Sequence, residues 1–129
     1  MTGSAAIYSL LSNDSAVTAY VSDRIYPVNV PDQIQYPAIV YSQLSEDELD
    51  SKDAPIHNGY LFSVDIYAGS YNQAQVIANA ARKALHWRTV TVEDLGTVRF
   101  KMEDRADTDL DEEKDMYHTA LDFRGRIIG

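Results

Sequence analysis

From Ser4 to Val21 the apolar residues Ile7, Leu10 and Leu11 recur at the three-and-four spacing of a helix with one buried stripe. Ser12-Asn13-Asp14-Ser15 interrupts the stripe, and Asp14 or Ser15 is placed to cap a second short helix carrying Val17, Tyr20 and Val21. All four prolines, Pro27, Pro31, Pro37 and Pro55, lie in the first half, and three of them punctuate Tyr26 to Pro37. That stretch is expected to be extended and irregular, with little regular pairing.

Four strand-like runs follow. Ala38 to Leu44 is rich in β-branched and aromatic residues. Tyr60, Phe62, Val64 and Ile66 then alternate with Leu61, Ser63, Asp65 and Tyr67. Val98, Phe100 and Met102 alternate with Arg99, Lys101 and Glu103, and Tyr117, Thr119, Leu121 and Phe123 with His118, Ala120, Asp122 and Arg124. One apolar and one polar face per run is the pattern of antiparallel strands covered on one side. Between the second and third runs, Ser70 and Gln73 form a capping box for a helix whose stripe is Ala74, Ile77, Ala78, Ala81 and Leu85, with Arg82 and Lys83 in its last turn. The stripe needs a surface to bury against, and the apolar sheet face is available. The expected fold is α+β: an antiparallel four-stranded sheet with helices packed on one face, one domain over residues 1–129. Thr89 to Val92 reads as a short extra strand or strand-like connection.

Composition narrows the function. The chain has 129 residues, enough for one core. It has no cysteine, which removes disulfide frameworks, thiolate metal sites and cysteine nucleophiles. No apolar run reaches the roughly 20 residues of a membrane span, so no membrane partner is expected. The start, Met-Thr-Gly-Ser-Ala-Ala-Ile, lacks the basic and apolar regions of an export signal. With 11 basic against 20 acidic side chains, the formal charge is −9, which argues against a nucleic-acid grip.

The charge is uneven. Ser45 to Asp53 holds Glu46, Asp47, Glu48, Asp50 and Asp53 against Lys52, and Glu103 to Asp115 holds eight carboxylates against Arg105 and Lys114. Both segments are expected to be long, solvated hairpin connections. Asp107, Asp109 and Asp111 match the alternating carboxylates that open a calcium loop, but Glu112 stands where the turn needs glycine and His118 where a bidentate carboxylate belongs. His57, His86 and His118 have no metal-ligand spacing, Gly69-Ser70 is explained by a turn and a cap, and no phosphate-binding glycine loop exists. No catalytic, cofactor-binding or metal residue is therefore assigned, and no cofactor. Tyr60, Tyr117 and Trp87 read as core or core-edge residues, whereas some of Tyr26, Tyr36, Tyr41 and Tyr67 are expected at the surface. If the last hairpin turns between Leu110 and Asp111, Arg99 faces Asp122 and Glu103 faces His118.

In order along the chain stand Leu10-Leu11, Asp23-Arg24-Ile25-Tyr26-Pro27, Pro31 and Tyr36-Pro37-Ala38-Ile39-Val40-Tyr41. After them come Val64-Asp65-Ile66-Tyr67-Ala68, the helix from Ala74 to Leu85, and Leu121-Asp122-Phe123-Arg124-Gly125. With these patterns the chain resembles the tail-completion proteins of long-tailed bacteriophages and prophages, the tail terminators or head–tail joining proteins. The resemblance implies a structural protein of the virion tail or neck, assembled in the host cytoplasm and not an enzyme. It implies a homo-oligomeric ring, usually a hexamer, that caps the tail tube protein and meets the head–tail connector protein, with DNA passing through unbound. The acidic segments then line the lumen or reach to a partner. Two alternatives stay open: a head-side connector or adaptor of the neck, and a small carboxylate-based enzyme or ligand-binding domain.

Overall fold

The structure, a computed structural model, describes residues 4–27, 35–48, 58–92, 96–106, 108–111 and 115–127. Pro31, Asp50, Lys52, Asp53, Pro55, His57, Asp107, Glu112 and Lys114, all named above, lie outside the described residues.

Helix α1 (Ser4–Ser12) ends where the polar run begins, and α2 (Ser15–Val21) starts after Asp14. The Asp14 carboxylate accepts from the backbone N–H groups of Ala16 and Val17, both at 3.0 Å, meeting donors that have no partner inside the helix. Helix α3 (Tyr71–Leu85) starts at Ser70, whose hydroxyl accepts from the Gln73 N–H at 3.1 Å. The return arm of the expected capping box is shifted by one residue: Gln73 Oε1 accepts from the N–H of Gly69, at 3.2 Å, rather than that of Ser70.

The strands are β1 (Ile25–Pro27), β2 (Ala38–Glu48), β3 (Asn58–Ala68), β4 (Thr89–Val92), β5 (Gly96–Arg105), β6 (Asp109–Asp111) and β7 (Met116–Ile127). They form one sheet in the order β1-β2-β3-β7-β5-β4, with β6 also pairing β7. The four strands read from alternation are all present, but among the described residues the sheet has seven strands, not four, and β1 runs parallel to β2. Pro27 is tolerated because β1 is the edge strand among the described residues, where no further described strand needs its missing N–H. The junction is closed by the Ile39 N–H on the Arg24 carbonyl (3.0 Å) and by Arg24 Nε on the Pro37 carbonyl (2.9 Å).

All three helices share one core with the inner sheet face. Ile7 and Leu11 of α1, Val17 and Val21 of α2, and Ile77 and Leu85 of α3 are fully buried with Phe62, Ile66, Phe100, Leu121 and Phe123. Each such side chain contributes about 1.5–3 kcal/mol by leaving water.

The expected pairs Arg99–Asp122 and Glu103–His118 are not formed. Arg99 lies opposite Arg126, Lys101 opposite Arg124 and Asp104 opposite Asp122, with a bulge between Met102 and Asp104. The connection is not a simple loop: after Arg105 the chain steps away, and β6 takes β5's place, setting Asp109 opposite His118. Four hydrogen bonds fix that step. Arg105 donates to Asn79 Oδ1 (2.8 Å) and Gln75 Oε1 (2.7 Å) on α3, the Thr108 and Thr119 hydroxyls bond at 2.6 Å, and the Ala106 N–H reaches the Ala120 carbonyl at 2.9 Å. Much of the second acidic segment is thus strand anchored to a helix, not solvated loop; the first likewise runs as β2 through Glu48.

Candidate functional site

Helix α3 ends at His86, and Trp87 follows with φ 62°, the left-handed region usually left to glycine at this position. The backbone there extends the β4 edge of β5: the Trp87 N–H donates to the Phe100 carbonyl (2.8 Å), the Phe100 N–H to the Arg88 carbonyl (2.9 Å), and the Met102 N–H to His86 Nδ1 (3.0 Å). The Trp87 indole is half-exposed (53%), correcting its expected place at the core. Its ring carries two cations instead, Arg99 Cζ at 5.0 Å and Lys101 Nζ at 5.8 Å from the centroid. Tyr60 is buried and Tyr117 partly so, as expected of core and core-edge residues.

Trp87 stands between two basic hollows. One, of about 390 Å³, is lined by Trp87, Arg99, Lys101, Glu103, Arg124 and Arg126. The other, of about 460 Å³, is lined by Arg82, Lys83, His86, Trp87 and Arg88 at the end of α3. Seven of the chain's eleven lysines and arginines therefore surround one indole, although the net charge is −9. On the sheet they stand as like-charged cross-strand pairs, an arrangement that opposes folding. Glu103 Oε1 meets Arg124 Nε at 3.2 Å; among the described residues no carboxylate forms an ion pair with Arg99, Lys101 or Arg126.

Further along the same outer face the sign reverses. Asp65, Asp104, Asp109 and Asp122 occupy outward positions on β3, β5, β6 and β7. His118 Nε2 and Asp65 Oδ1 are 2.7 Å apart, Ser63 Oγ donates to Asp65 Oδ2 at 3.2 Å, and the Tyr67 ring stacks on His118 at 4.8 Å. In this cluster the carboxylate is central, so serine and histidine each bond to it and not to one another, unlike a triad in which histidine addresses the hydroxyl. Burial, and after it the charges of Asp104 and Asp65, push the Asp122 carboxyl above its usual value.

Part of the calcium-like run is strand. Asp109 and Asp111 belong to β6, with Asp109 paired to His118. His86 and His118 lie apart, one at the end of α3 and one in β7. Among the described residues no three histidine, aspartate or glutamate side chains are gathered for a metal, and no helix is long and apolar enough to cross a membrane. The basic cluster escaped the sequence reading, although its signal was present: Arg99-x-Lys101 and Arg124-x-Arg126 on the polar faces of two strands that prove adjacent.

No curated protein matches the chain. Among solved structures, a chain of the "Virion of native gene transfer agent (GTA) particle" is 21% identical and superposes with a TM-score of 0.76. The likeness covers 95% of this chain and 92% of that one, and at this identity it concerns the fold. The family model described as "Tail completion protein gp17" matches residues 5–128, so that from α1 through β7 the chain belongs to the tail completion protein gp17 family.

Proposed function

We propose that this protein is a structural subunit of a phage-type tail or neck, which assembles as a ring on the end of the tail tube and offers a surface for head–tail joining. The family match over residues 5–128 carries this reading. The virion origin of the similar fold and an outer sheet face built of charged pairs, suited to contact with other subunits, support it. A net charge of −9 would let DNA pass such a ring without adhering, because the field of the subunits repels phosphate.

Electron microscopy of the purified protein at high concentration tests it. Rings of about six copies with a central hole are the expected result; monomers alone, at every concentration, would overturn it. Pull-down with the tube protein and with the head connector separates a terminator, which binds the tube, from an adaptor, which binds only the head side.

A further inference from the structure

The outer face has two ends of opposite sign. Along β7 it runs from His118, beside Asp65 and Asp109, through Asp122 to Arg124 and Arg126. From His118 to Arg126 is a span of about 27 Å at the rise of an antiparallel strand. Each end is frustrated within its own copy: Arg99 stands against Arg126 and Lys101 against Arg124 at one, Asp104 against Asp122 at the other. The two ends cannot neutralise each other inside one molecule, because they lie on the same strands of one sheet.

We propose that this face is a docking surface between copies of the chain, in which the basic end of one, with Trp87, Arg99, Lys101 and Arg126, receives the acidic end of the next, with Asp104, Asp109 and Asp122. The inference rests on the ring reading above and names the surface through which the ring would be built. Charge complementarity on a single face selects a second copy as the occupant. The half-exposed indole, held in left-handed backbone, adds a flat apolar plate on which the cation stems are already ordered, so less side-chain freedom is lost on contact. Nucleic acid fits the basic end alone less well, since the whole molecule carries −9 and the acidic end of the same face would repel phosphate. Where the basic end of one copy meets the acidic end of the next while its own acidic end is left for a third, the contact is head-to-tail, the type that closes into rings; two copies pairing both ends at once would close as a dimer instead.

Sedimentation velocity of the full chain tests the surface with two variants. Arg99→Gln/Lys101→Gln neutralises the basic end and Asp104→Asn/Asp109→Asn the acidic end; all four side chains are exposed, and thermal melting confirms that each variant is folded. Each variant alone should associate at least about tenfold more weakly than the unchanged protein, and an equimolar mixture should form a two-copy species and stop there. An unchanged protein that stays monomeric to about 1 mM overturns the inference. So do variants that assemble normally, and so does binding of a short oligothymidylate that Arg99→Gln/Lys101→Gln abolishes. Rings persisting in both variants overturn the surface and leave the ring reading standing. Open chains of the unchanged protein that both variants dissolve support the surface and overturn the ring.

Discussion

Gly125 is where the aromatic layer closes over the backbone. It lies opposite Tyr60 on one side and Phe100 on the other, and a Cβ there would stand 2.8 Å from Phe100 Cε1 and 3.3 Å from Phe62 Cε2. Both rings are fully buried and pack edge-on at 5.9 Å, so neither can move aside without opening the core. Gly125→Ala should lower stability by about 1–3 kcal/mol, read as an earlier urea midpoint with an unchanged slope. Asp122 gives a prediction of opposite sign. A raised carboxyl pKa means that the folded protein holds the proton more tightly than the unfolded chain does, so the group penalises folding at neutral pH and not below its unfolded value. Asp122→Asn should therefore stabilise at pH 7 by about 0.5 kcal/mol, the scale of a like-charged cross-strand pair. The gain should shrink as pH falls through the carboxylate range, which urea melts at several pH values will show.

At the scale of elements, period and caps were enough for the three helices and the four long strands. Leu10-Leu11, Asp14 and Ser70 mark the helices, and strict alternation from Tyr60 to Tyr67 leaves one face for the core. Val64→Asp or Phe100→Asp should accordingly abolish folding, since either places an unpaired charge at a fully buried site, and circular dichroism should show the loss of native signal. Three features were not legible, each for a physical reason. Ile25–Pro27 is too short to show a period, and its partner is non-local. The register of β5 on β7 depends on a bulge at Glu103 and on Arg105 reaching to α3, contacts that do not exist until the helix is in place. The basic cluster was hidden because its cations alternate singly with core residues, and only the pairing of β5 with β7 and the left-handed turn at Trp87 gather them.

On the scale of the whole molecule, β7 has three strand partners among the described residues: β3 along one side, and β5 followed by β6 along the other. It also follows those partners, and every other element, in the chain. A nascent polypeptide leaving the ribosome therefore carries two separate ribbons, one made of β2 and β3 and one of β4 and β5, with no shared edge until the stretch from Met116 onward emerges. The joined outer face cannot form before the stretch from Met116 onward is available to pair, so the association proposed above waits on that stretch. A chain cut before Met116 should accordingly remain without cooperative melting, whatever the sequence upstream of the cut.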